Sequence, residues 1–102
     1  NSVLLWFDND QAGQLSTITN GIKFLKRGLK VFVVNNTTSY KDVNEMLVKQ
    51  GKELVINTLI NPNNPDFISF YIINKLSNVS SINIEDKIKE IFAMIRKYGD
   101  AL

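Results

Sequence analysis

The chain contains neither cysteine nor histidine. The first absence excludes disulfides, thiolate nucleophiles and thiolate metal ligands. The second excludes imidazole ligands, imidazole bases and serine–histidine triads, so any chemistry must run on carboxylates, lysines or hydroxyls. Proline and glycine are scarce, with two and five residues in 102, which is not the composition of a collagen-like or low-complexity chain. Charge of one sign is also lacking. Twelve basic against ten acidic side chains leave a net charge of +2, too little to point to nucleic acid by itself. No apolar run approaches the roughly 18 residues of a membrane span. No signal peptide precedes the first strand-like run, so a cytoplasmic protein with no membrane partner is expected.

What is present describes an ordinary globular domain, with 44% apolar and 22% charged side chains. A chain of this length buries roughly two thirds of its surface on folding, enough for a core without staples. It opens at Asn1, without methionine, almost directly into a strand-like run, which reads as a piece of a longer protein.

Val3-Leu4-Leu5-Trp6-Phe7, ended by Asp8, is a continuous apolar run of the kind that forms a parallel strand buried on both faces. Leu15, Ile18, Ile22 and Leu25 then recur at helical steps and predict one apolar helix face. Lys23, Lys26 and Arg27 complement the end of that helix, and Gly28 closes it as a left-handed cap. Val31-Phe32-Val33-Val34 is a second buried-strand pattern. Strand, helix and strand in about 34 residues is the size of a right-handed βαβ unit with parallel strands. Asn35 to Tyr40 is turn-like. Short helices are expected from Asp42 to Val48, ended by Gly51, and from Lys52 to about Leu59. The break Ile60-Asn61-Pro62-Asn63-Asn64-Pro65 is the expected subdomain boundary, with Asn64 as cap and Pro65 in the first turn of the next helix. That helix, from Asp66 to about Leu76, carries Phe67, Phe70, Ile73 and Leu76. Asn83 caps a last helix with Ile84, Ile88, Ile91 and Ile95 on its apolar side. Trp6, Phe67, Phe70 and Tyr71 are expected in the core. Residues 1–58 read as α/β and 59–102 as helical.

Asp8 stands at the carboxyl end of the first strand and Asp10 two residues later, in the turn to the helix. Ligands of parallel α/β sheets bind at that rim. Two carboxylates there repel unless a cation lies between them, and Mg²⁺ takes one or two carboxylates together with phosphate oxygens and water. Ala12-Gly13 follows, small enough for backbone to approach a bound group closely. Alternatively Asp10 is only a helix cap and Asp8 a solvated strand end. Lys41-Asp42-Val43-Asn44-Glu45 follows the second strand and reaches the same rim. Asp42 with Glu45 is also a capping-box pattern that explains both acids without any ligand.

Phe7-Asp8-Asn9-Asp10-Gln11-Ala12-Gly13, ending a strand and opening a helix, resembles the second motif of the Toprim domain of bacterial primases and topoisomerases. Lys41-Asp42-Val43-Asn44-Glu45-Met46-Leu47 and Lys49-Gln50-Gly51-Lys52-Glu53 then follow in the order seen in bacterial replicative DNA primases. The resemblance covers nearly the whole chain. It implies a partial Toprim fold over 1–58, lacking the family's first-motif glutamate, followed by a helical subdomain over 59–102. It implies Asp8 and Asp10 as catalytic, metal-binding acids, Asp42 as a further metal acid, Lys41 as a nucleotide contact and Gly13 as the close-approach glycine. The implied cofactor is Mg²⁺ or Mn²⁺. The implied activity is RNA primer synthesis on single-stranded DNA from ribonucleoside triphosphates. The partners are that template, the RNA–DNA hybrid product and, through regions outside this segment, a replicative helicase. Asn44 stands where the family has a second aspartate and Val43 where it has proline. With its first motif missing, this segment is expected to be inactive alone.

Two rivals remain. Haloacid-dehalogenase-type phosphotransferases also place Asp-x-Asp after their first strand, but follow it with Thr or Val and a larger apolar residue, where this chain has Ala12-Gly13. A non-catalytic Toprim-like binding scaffold keeps the fold without the metal.

Overall fold

The computed structural model describes residues 1–35, 40–77 and 83–98. The turn expected after Asn35 falls mostly on residues 36–39, outside the described residues. The elements run β1 (Ser2–Leu5), α1 (Gln11–Lys26), β2 (Lys30–Val33), α2 (Val43–Gln50), α3 (Lys52–Leu59), α4 (Phe67–Ser77) and α5 (Ile84–Tyr98). The protein is thus mixed α/β, mostly helical, with one small parallel sheet of two strands. Val3 pairs with Val31 and Leu5 with Val33. Among the described residues no helix is long and apolar enough to cross a membrane.

Parallel pairing follows from the crossover through α1, and the glycines end their helices as expected. Gly28 takes φ 77°, a conformation open to glycine, and its N–H donates to the Leu25 carbonyl at 2.9 Å. Gly51, at φ 85°, is the joint between α2 and α3. The strands are shorter and less covered than their composition suggests. β1 stops at Leu5, so Trp6 and Phe7 lie beyond it, half-buried and exposed respectively. Leu4 and Phe32, on the sheet face away from the core, remain over a third exposed. The expectation of strands buried on both faces is therefore corrected: helices cover one face of this sheet, as in half-solvated sheets.

Beyond β2 the chain returns to the sheet. The Val33 N–H donates to the Pro65 carbonyl at 2.9 Å, and Phe32 forms an antiparallel bridge with Asp66. β2 therefore lies between β1 and this short segment. Helix α4 begins after it, at Phe67, and its cap is Asp66, not Asn64. The Asp66 carboxylate accepts from the Ser69 N–H and from the Ser69 hydroxyl, both at 2.9 Å. Asn64 has a long-range role instead. Its side-chain oxygen accepts from the Asn35 N–H at 2.8 Å, while its amide donates to the carbonyls of Thr58 at 3.1 Å and Leu59 at 3.2 Å. One side chain thus ties the end of β2 to the end of α3.

The buried stripe of α1 is Gly13, Thr17, Gly21 and Leu25, while Ile18 and Ile22 flank it half-buried and Leu15 is 65% exposed. Placing Leu15 on the core face is thus corrected. Small residues bring the helix axis close, and the Phe67 ring occupies the space a Gly21 side chain would need. The core joins Leu5, Leu25, Val31, Val33, Phe67, Ile68, Tyr71 and Ile91, so elements on both sides of residue 58 share it. Ile73, Leu76, Ile84 and Ile88 stand outside it, exposed. Glu90 of α5 pairs with Lys75 of α4 at 3.8 Å and, within α5, with Lys87 at 3.7 Å. Burial, and then the Glu90 charge, push the Tyr71 phenol above its ordinary pKa.

Candidate functional site at the carboxyl ends of the strands

β1 and β2 end on the same rim because they are parallel. A cleft of about 170 Å³ opens there, lined by Leu5, Trp6, Phe7, Asp8, Asn9 and Gln14 together with the end of β2 and Phe70. Ligand pockets for small molecules usually hold roughly 300–1,000 Å³. This cleft is smaller than that.

Asp8 is exposed and lines the cleft, and among the described residues its carboxylate has no hydrogen bond or ion pair. Asp10 is built in differently. Its backbone is extended, at φ −145° and ψ 179°, as an N-cap residue requires. One of its oxygens accepts from the Gly13 N–H at 2.7 Å. The other lies 3.8 Å from the Lys41 ammonium, with the Lys41 and Asp10 side chains 60% and 40% exposed. An ion pair so open to water is weak, so Lys41 is held near the acid corner without being locked to it. The Asn9 N–H donates to the Lys41 carbonyl at 2.6 Å. The loop after β1 and the loop before α2, 32 residues apart in sequence, are therefore tied together at main-chain level.

Asp42 caps α2, accepting from the Glu45 N–H at 2.8 Å. The reciprocal half of the capping box is displaced by one residue: the Glu45 carboxylate accepts from the Lys41 N–H, at 2.9 Å, in place of the Asp42 N–H. That bond, with the Lys49 ammonium beside it, holds the Glu45 carboxyl below its ordinary pKa. Glu45 thereby fixes the backbone of Lys41 and so the approach of Lys41 to Asp10.

The structure brings Asp8, Asp10 and Lys41 to one rim. It does not assemble Asp8, Asp10 and Asp42 into one group: among the described residues no three acids lie close enough to hold a metal together. The donor set fits a hard divalent cation that takes one or two carboxylates and completes its shell with phosphate oxygens and water. The residues that would hold such an ion are Asp8, whose carboxylate has no partner among the described residues, and Asp10, through the oxygen that faces Lys41. The close approach expected at Gly13 is made by the chain itself, since a Cβ there would overlap the Asp8 carbonyl. Gly13 thereby seats the main chain of Asp8 against the first turn of α1. The indole N–H of Trp6 is buried at this cleft without a hydrogen-bond partner among the described residues, at a cost of roughly 1–3 kcal/mol.

Asp8, Asp10 and Lys41 stand out in the sequence as charges near strand ends, whereas the tie between Asn9 and Lys41 leaves no local signal. No family model, curated protein or solved structure matches the chain.

Proposed function

We propose that this chain is a segment of the RNA-polymerase core of a bacterial-type replicative DNA primase, carrying the metal-binding half of a Toprim nucleotidyl-transfer site. The observation that carries the reading is the meeting of two separate motifs at one rim. Asp8-Asn9-Asp10 lies in the loop between β1 and α1, and Lys41, from the loop after β2, reaches it through the Asn9 main chain and the Asp10 carboxylate. The order of the two motifs is the one the primase resemblance implies. Asp8 and Asp10 would hold Mg²⁺ at this rim, and the ion would supply charge neutralisation at phosphate oxygens. The residues of the chain supply the rest. Asp8 presents a free carboxylate at the cleft. Asp10 presents one oxygen, while its other oxygen is fixed by the Gly13 N–H. Lys41 carries a mobile positive charge that can turn from Asp10 to a nucleotide phosphate.

A second reading, a Toprim-like scaffold without metal, is favoured by one observation: helix capping accounts for Asp10 and Asp42 completely. The two readings part in a primer assay on the full-length protein with single-stranded DNA, ribonucleoside triphosphates and Mg²⁺. The primase reading expects short, template-dependent RNA products that disappear with a chelator. A full-length protein that makes none supports the scaffold. A phosphoryl group trapped on Asp8 would reassign the site to phosphotransfer.

A further inference from the structure

Helix α5 carries apolar residues over a wider arc than the described residues cover. Ile91 is buried in the core, with Met94, Ile95 and Tyr98 packed against it. Ile84, Ile88 and Phe92 form a second line at steps of four. An α-helix has 3.6 residues per turn, so each such step drifts by about 40°, and the line turns progressively away from the core. Their exposures are 42%, 38% and 58%, leaving Phe92 the most open. Beside this line stand Glu85, Lys89 and Arg96, all exposed, with Glu85 in an open ion pair with Lys89 at 3.9 Å. The charges are also sorted along the helix, with Glu85 and Asp86 in the first turn and Arg96 and Lys97 in the last.

We propose that this face docks a second copy of the chain, with the two α5 helices antiparallel about a two-fold axis passing near Glu90. In that register Ile88 lies against the partner's Phe92, and Glu85 faces the partner's Arg96. The symmetry makes each contact twice. A parallel pairing sets acid against acid and base against base; the antiparallel one pairs them and opposes the helix dipoles. One pair of 15-residue helices buries less than the roughly 1,200 Å² at the lower end of stable interfaces. The dimer is therefore weak and forms only at high protein concentration.

Sedimentation velocity over a concentration series tests this in low salt, with circular dichroism confirming that each variant is folded. The average mass of the native chain rises with concentration. Glu85→Arg and Arg96→Glu each weaken association about tenfold, because two pairs are lost and like charges meet. The double variant Glu85→Arg/Arg96→Glu regains association, and Phe92→Ser loses it. A chain monomeric at every concentration overturns the proposal. So does association indifferent to the charge reversals, which would place the contact elsewhere, as at the open edge of β1, or a double variant no better than the singles.

Discussion

Replacing Gly13 by alanine is expected to lower the melting temperature by about 10 °C or more. Helix propensity alone predicts the opposite, since alanine in place of glycine inside a helix gains up to about 1 kcal/mol. Gly13, however, sits in the first turn of α1 with the Asp8 main chain across its Cα, and a Cβ there would overlap the Asp8 carbonyl oxygen and carbon. The obstacle is backbone, so no rotamer change relieves it. Overpacking of this kind costs roughly 1–3 kcal/mol and occasionally more, and in a chain this long each kcal/mol shifts the midpoint by about 4–8 °C. Moving Asp8 also disturbs the rim it forms. A thermal melt of Gly13→Ala, beside Gln11→Ala as a control at an exposed position in the same turn of α1, checks the expectation. An unchanged or raised midpoint for Gly13→Ala would show that the loop after β1 is not seated as described.

The second large effect is expected at the acids, and it separates their two roles. Asp8→Ala in the full-length protein should abolish primer synthesis and leave stability unchanged, because nothing among the described residues depends on the Asp8 carboxylate. Metal-held charge stabilisation is worth several kcal/mol, and at 1.36 kcal/mol per tenfold that amounts to about a hundredfold to a thousandfold or more in rate. Asp10→Ala should lose the activity and also about 1 kcal/mol of stability, because it removes the cap on α1. Asp10→Asn keeps a good cap and removes only the charge, so it should stay stable and inactive. Primer yield from any of the three near that of the native protein contradicts the metal role. An Asp10→Asn protein that is fully active would leave capping as the whole function of that residue.

The sequence disclosed local features and concealed the long-range ones. Asp8 and Asp10 at a strand end, the breaks at Gly28 and Gly51, and the parallel βαβ order are written in short patterns with local physical causes. Hydropathy marks Leu15 on α1, but the buried stripe is made of Gly13, Thr17, Gly21 and Leu25, where Gly21 gives room to the Phe67 ring and Gly13 to the Asp8 main chain. Periodicity names the apolar residues of α4 and α5 but not which of them meet a neighbour. Ile73 and Phe92 are as apolar as Ile68 and Ile91, yet they stay open. Asn64 next to Pro65 has the local form of a helix start, but Asp66 takes the cap because Pro65 and Asp66 first run along β2. At the site, Lys41 was visible as a charge near a strand end. Its hold on the acid corner depends on the Asn9 N–H and the Glu45 carboxylate, and no short pattern encodes that pairing.

The central claim is that the carboxylates ending β1 take a divalent cation. Its most direct test is a titration of the isotope-labelled chain with Mn²⁺, followed by the paramagnetic broadening of its backbone amide signals. With no histidine or cysteine in the chain, competition for the ion comes only from other carboxylates. Broadening is predicted first at Asp8, Asn9, Asp10 and Lys41, at millimolar ion or below, and is predicted to vanish from those signals in Asp8→Asn. Broadening that is absent there, or equal in Asp8→Asn, would contradict the account.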